Sequence, residues 1–267
     1  MRNVFMATVA ALFVAGTATA ADLGGTVGTE VTKNNAGDYV ATPTVELSFG
    51  HKAEGATAFG SVGVEAVNGN LAVDSWNVGV AFGTTSVSFG DQGDLFSFGG
   101  LEVVGGDTLA DPADDHESVI VKHGAVSALV GLTDISSNVS DIENVQLSYG
   151  KEIGVADVAG AVDYNFNTKA YILAVAVDAN VSDAFGAGAT VTYDDAASLV
   201  AYEAMGTYSG LDALAVSAFI NGDADDMAQN IGAGVVYTKE SLSAFAEVGY
   251  NLDTKATTPA VGVSFNF

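Results

Sequence analysis

The sequence predicts an all-β chain folded as a transmembrane, antiparallel, up-and-down β-barrel of sixteen strands. Three observations carry that expectation. Short segments alternate apolar with small or polar side chains at period two, and turn residues separate them. Beyond its N-terminal leader the chain has no run of about 18 apolar residues that could cross a membrane as a helix. Glycine is plentiful, with 32 residues, while proline is scarce, with three, as many strands joined by tight turns require. An extended strand sends consecutive side chains to opposite faces, so each segment acquires one apolar and one polar face.

The first element is an export leader. Arg2 supplies a positive start, residues 4–16 form an apolar run too short for a spanning helix, and Ala18-Thr19-Ala20 gives a small-x-small cleavage site. Residues 1–20 are therefore expected to be a signal peptide, and residues 21–267 the mature barrel. Cysteine is absent, so an exported chain must rely on backbone pairing and burial rather than disulfides.

Charge narrows the functional classes. The chain carries 33 acidic and 8 basic residues, and removal of Arg2 leaves 33 against 7, a net of −26 without any arginine. Such a balance excludes ordinary electrostatic binding to nucleic-acid phosphates. A soluble protein with a solvated acidic shell would share this composition, so periodicity has to separate the two.

The strand signals run in order through 23–33, 38–50, 54–67, 70–83, 84–90, 117–123, 125–134, 142–150, 152–164, 168–178, 183–194, 197–208, 211–220, 229–239, 240–251 and 258–267. Phe185-Gly-Ala-Gly-Ala-Thr-Val-Thr-Tyr193 is the cleanest of them, with Phe185, Ala187, Ala189, Val191 and Tyr193 on one face. The opposite faces carry mid-segment carboxylates at Glu46, Glu65, Asp157, Glu203 and Glu247, which suit a strand with lipid on one side and water on the other. Phe49, Phe82, Phe89, Tyr149, Tyr164, Tyr193, Tyr237 and Tyr250 cluster at segment ends on the apolar face, where a membrane-interface girdle would lie. Turns at Gly83-Thr84, His123-Gly-Ala125, Gly150-Lys151, Ser209-Gly210 and Lys239-Glu240 are short, whereas 91–116, 135–141 and 221–228 are longer. That difference predicts tight turns at one rim and loops at the other.

The last segment, Pro259-Ala-Val-Gly-Val-Ser-Phe-Asn-Phe267, ends on an aromatic with Phe265 and Phe267 on its apolar face. It resembles the terminal signal by which outer-membrane barrels are delivered to the bacterial barrel-assembly machinery. In layout the mature chain resembles a small member of the sixteen-stranded general porin superfamily of Gram-negative bacteria. Its longest connection falls after the fifth segment, at Ser88-Phe-Gly-Asp-Gln-Gly-Asp-Leu-Phe96 and onward. The resemblance implies an inward-folded third extracellular loop at 91–116, passive diffusion of small hydrophilic solutes, residence in the outer membrane among lipid and lipopolysaccharide, and a homotrimer. Two features depart from the family. The basic wall cluster that general porins set opposite this loop has no arginine to form it here. The second extracellular loop, which latches trimers, shrinks to Asn68-Gly-Asn70.

Carboxylates at a narrow, water-filled point concentrate cations and repel anions. Asp91, Asp94, Glu102, Asp107, Asp111, Asp114 and Asp115 are the candidate constriction residues, with Glu30, Glu46, Glu65 and Lys122 on the wall. The expected function is a cation-favouring channel. A non-conducting barrel of roughly 8–14 strands and a surface-exposed structural or adhesive β-protein are the alternatives. No cofactor is expected, although Asp111, Asp114 and Asp115, or Asp223, Asp225 and Asp226, offer oxygen ligands suited to Ca²⁺. Catalysis is not expected, because His51, His116 and His123 lack metal-ligand spacing and no nucleophile or phosphate-loop motif is present. The leader makes one direct prediction: N-terminal sequencing of the exported protein should begin at Ala21.

Overall fold

The computed structural model describes residues 22–33, 39–67, 70–96, 117–132, 142–224 and 229–267. They form sixteen strands. The first eight are β1 (Asp22–Lys33), β2 (Tyr39–Ala53), β3 (Ala56–Val67), β4 (Asn70–Phe82), β5 (Thr85–Asp91), β6 (Glu117–His123), β7 (Val126–Leu132) and β8 (Ile142–Ile153). The second eight are β9 (Ala156–Asn165), β10 (Ala170–Asn180), β11 (Phe185–Asp194), β12 (Leu199–Leu211), β13 (Leu214–Asp223), β14 (Asn230–Lys239), β15 (Leu242–Asn251) and β16 (Thr257–Asn266). Each pairs antiparallel with its sequence neighbours, and β1 pairs with β16, so the sheet closes into an up-and-down barrel. No helix among the described residues is long and apolar enough to span a membrane.

The closing seam matches Thr26–Thr32 with Ala260–Asn266, and the chain end reinforces it. Gly25 N donates to the Phe267 carbonyl at 3.1 Å, and Phe267 N donates to the Gly25 carbonyl at 3.0 Å. The terminal aromatic is thus part of the ladder rather than a tail beyond it.

Cross-strand register sorts the side chains into two faces. One carries Val27, Leu47, Leu147, Val175, Val191, Val216, Val235 and Val261, all exposed although apolar. The other carries Asn144, Gln146, Asp163, Glu203, Asn221 and Asn230, all buried although polar. The inside of a closed cylinder is where a barrel can bury residues, so the polar face lines the lumen and the apolar face looks outward.

Connections follow the same polarity. From even to odd strands the chain turns in two residues at Glu54-Gly55, Gly83-Thr84, Gly124-Ala125, Gly154-Val155, Asp212-Ala213 and Glu240-Ser241. The odd-to-even connections include 34–38, 92–116, 133–141, 224–229 and 252–256. One rim therefore has short turns and the other has loops. Three of the loops share a construction. Asn165 Oδ1 accepts from Asn167 N at 2.9 Å and Thr168 N at 3.0 Å, and Asn251 Oδ1 accepts from Asp253 N at 3.1 Å and Thr254 N at 2.8 Å. Asp194 plays the same part for Ala196 and Ala197, and the three loops then place Lys169, Ser198 and Lys255 at positive φ.

Three expected turns lie elsewhere. Gly150-Lys151 is strand: Gly150 pairs with Ala159 and serves as a small wall residue, while β8 continues to Ile153 before turning at Gly154, φ 69°. Ser209-Gly210 sits in an irregularity where the register slips between Tyr208 and Leu211, and the turn follows at Asp212-Ala213. A Cβ on Gly210 would overlap the Tyr208 ring, so the bulge lets that ring fold back over the backbone. Lys239-Glu240 moves by one residue, to Glu240-Ser241.

The aromatics on the outer face form two belts. Tyr164, Tyr171, Tyr193, Tyr202 and Tyr250 lie toward the loop rim, with the Tyr171 and Tyr193 rings 5.9 Å apart. Phe49, Phe82, Tyr149, Phe185, Tyr208, Tyr237 and Phe265 lie toward the short-turn rim, with Phe185 and Tyr208 at 4.8 Å. On the inner face, Phe59, Phe219 and Phe245 each cover the glycine directly opposite, Gly79, Gly232 and Gly262. A Cβ at Gly232 would meet both the Phe219 ring and the Val248 carbonyl, and the carbonyl cannot yield without breaking the ladder. Gly232→Ala should therefore destabilise the barrel by about 1–3 kcal/mol, read by denaturant unfolding in lipid vesicles.

Candidate pore interior

The inner face is strongly acidic because the alternation directs carboxylates to it. Glu30, Glu46 and Glu65 face inward on β1–β3: Glu30 pairs with Thr42, Glu46 with Thr26, and Glu65 with Thr44. Farther round the wall, Glu152, Asp157 and Asp178 stand side by side near the short-turn rim, since Asp157 pairs with both neighbours. Asp163, Asp194, Glu203, Asp223 and Glu247 share the same face. The lysines on this face among the described strands are Lys52 and Lys122. Lys122 is exposed, close to the short-turn rim between Ser86 and Ser127.

Burial divides the lumen into two arcs. From β6 to β13 the inner residues Ser118, Ile120, Leu129, Asn144, Gln146, Asp163, Ala174, Thr190, Thr192, Glu203 and Asn221 are buried. On β1–β3 Thr44, Glu46 and Ser48 are exposed, and Glu30, Ser61 and Glu65 are partly so. The open part of the lumen therefore runs beside β1–β3.

Part of the covered arc is explained by the segment that leaves β5. Leu95 N donates to Gln146 Oε1 at 2.8 Å, and Phe96 packs with Ala161, Ala174 and Ile172. Asp94 Oδ1 accepts from Phe96 N at 2.6 Å and shapes this turn. Residues 92–96 thus enter the lumen and lie against β8–β10. Asp91 belongs to β5 rather than to the connection; it pairs with Trp76 and Glu117, on the parity of Phe89. Glu102, Asp107, Asp111, Asp114 and Asp115 lie outside the described residues, as do Asp225, Asp226, residues 68–69 and the leader.

Neutral amides, which the sequence reading passed over, complete the wall. Asn144 Nδ2 donates to Asp163 Oδ1 at 2.7 Å. Across β13–β15, Asn251 Nδ2 donates to Asn230 Oδ1 and Asn230 Nδ2 to Asn221 Oδ1, each at 2.9 Å. Beside this ladder Gln229 Nε2 donates to Asp223 Oδ2 at 2.5 Å. The signal was available, because these residues occupy the same alternate positions as the wall carboxylates. Among the described residues no group of three His, Cys, Asp or Glu side chains is placed to hold a metal ion.

This geometry has counterparts among solved structures. A porin variant from Rhodopseudomonas blastica superposes with TM-score 0.74 at 15% identity, covering 93% of this chain and 100% of its own. The fold is that of a porin. A second variant gives 0.73 at 14% identity, and a triple variant 0.71 at 15%, with the same coverage. No family profile matches the chain. No curated protein is similar to it by sequence.

The docking of residues 92–96 carries a prediction. Phe96→Ala removes the side chain that seats the segment among Ala161, Ala174 and Ile172. Once the protein is reconstituted, open-channel current noise should rise relative to the parent; unchanged noise would mean that the contact does not restrain the segment.

Proposed function

We propose that the protein is an outer-membrane porin through which small hydrophilic solutes and ions diffuse passively, with cations favoured. One observation carries this reading: the open arc of the lumen is bordered by Glu30, Glu46 and Glu65, whereas the inner-face lysines of the described strands, Lys52 and Lys122, lie near the short-turn rim. Low-dielectric walls focus the field of such carboxylates into the water between them, raising the local cation concentration. The porin fold and the entry of residues 92–96 into the lumen support a continuation of 97–116 inward as the constriction, with Asp94, Glu102, Asp107, Asp111, Asp114 and Asp115 adding negative charge. The residues of the leader support export, and the paired terminal Phe267 supports delivery by the barrel-assembly machinery. Lipid, lipopolysaccharide and a homotrimeric arrangement complete this proposal. Calcium at 111–115 or 223–226 is a subsidiary reading, which absence of heat in a titration with millimolar Ca²⁺ would dispose of.

Reversal potentials across a KCl gradient in planar bilayers test the main reading. The expected sign is that of potassium preference, shrinking at high salt as screening shortens the field. A chloride preference overturns it. Two unit charges at 4 Å interact by about 1 kcal/mol in bulk water, roughly a factor of five in local concentration. Replacing Glu30, Glu46 and Glu65 together by glutamine should accordingly reduce the potassium-to-chloride permeability ratio severalfold.

A further inference from the structure

The inner face carries three phenylalanine–glycine pairs, and they are not equivalent. Each ring reaches over its partner glycine, so that a Cβ there would overlap ring atoms. Phe219, over Gly232, is only 6% exposed and belongs to the covered arc. Phe245, over Gly262, is partly exposed and reaches β16, the strand that closes against β1. Gly262 is also the register partner of Glu30 across the closing seam. The Phe245 ring therefore extends over β16, at the inner-face position flanked by Glu30 of β1. A glycine at 262 is what allows this, since any Cβ there would overlap the ring.

An inorganic cation needs only the carboxylate. An aromatic face adds attraction for a weakly hydrated ammonium, whose charge is spread over its substituents, through the ring quadrupole. We propose that Phe245 and Glu30 form a subsite for organic ammonium cations on the open wall of the lumen. The subsite deepens the cation-favouring channel reading and rests on it. Its consequence is selectivity among cations: an organic ammonium dwells at this level of the wall and slows the potassium that follows it, while an alkali ion passes.

The test uses the full mature chain in planar bilayers, with tetramethylammonium chloride as the probe against a potassium current. Tetramethylammonium should reduce the potassium conductance more than equimolar lithium does. Phe245→Leu should raise the concentration needed for that reduction by roughly two- to fivefold, the scale of a cation–aromatic contact at an accessible site. The same variant should leave the potassium-to-chloride permeability ratio unchanged. Phe245→Tyr, which keeps the ring, should block like the parent, and so should Phe219→Leu, which alters the pair on the covered arc. Unaltered block in Phe245→Leu overturns the subsite. So does a barrel that prefers potassium to chloride yet treats tetramethylammonium and lithium alike, and that outcome leaves the channel reading standing. A barrel with no potassium preference overturns both. Should Phe245→Leu fail to insert, Glu30→Gln decides in its place: retained block there removes the carboxylate from the subsite and ends the proposal.

Discussion

Closure of the backbone ladder is the constraint from which the rest of this structure follows. Within hydrocarbon no water is available to satisfy an unpaired N–H or C=O, and each such group would cost several kcal/mol. A sheet satisfies all of its strands only when the first meets the last. Here that meeting is the pairing of β1 with β16, extended by the reciprocal bonds between Gly25 and Phe267. With the polar backbone accounted for by closure, each strand needs only a modest outward set of Val, Ala, Leu and aromatic side chains. A chain with a formal net charge of −25 can then occupy a bilayer, because its mid-strand carboxylates, Glu30, Glu46, Glu65, Asp163, Glu203 and Glu247 among them, fall on the other parity.

The same closure explains the pairing of large rings with glycines on the inner wall. Strands that tilt and curve round a cylinder crowd their inward side chains, so a phenylalanine fits most easily where its neighbour has no side chain. Phe59, Phe219 and Phe245 each lie over the glycine opposite. The ring covers backbone that would otherwise stand bare, and the glycine supplies the room. Glycine abundance is thus as much a property of the wall as of the turns. That double use is what misplaced Gly150-Lys151 as a turn, for Gly150 is a wall position within β8.

The architecture was legible because period-two alternation is a strong signal when it repeats along a whole chain. All sixteen strand segments emerged, and the rim asymmetry with them. Errors concentrated at strand ends, where Ser209-Gly210 reads as a turn although the turn comes only at Asp212-Ala213, beyond a slip in register. The wall carboxylates Glu30, Glu46 and Glu65 could be picked out by parity. What parity cannot give is the difference between one side of the lumen and the other. Glu203 and Glu46 look alike in sequence, yet one is buried and the other exposed. That distinction depends on which strands are covered, and cover is a long-range property: Leu95 reaches Gln146, 51 residues away. The asparagine ladder from Asn221 to Asn251 was missed for a related reason, since neutral amides carry no charge to draw attention to alternate positions.

The eccentric lumen gives wall charges unequal leverage. On the covered arc, amides and carboxylates engage one another, as Asn144 does with Asp163 and Gln229 with Asp223. A carboxylate whose field is partly answered by an adjacent N–H dipole contributes less to the potential felt by a passing ion. On the open arc Glu46 faces water with Gly63 and Thr26 as its register partners, neither of them charged. The proposed selectivity therefore rests on a few carboxylates of β1–β3 rather than on the whole circumference. This wall is also the one that contains the closing seam, with Glu30 on β1 opposite Gly262 on β16. The strand pairing that makes the barrel possible thus also fixes the relative positions of the residues bordering its open passage.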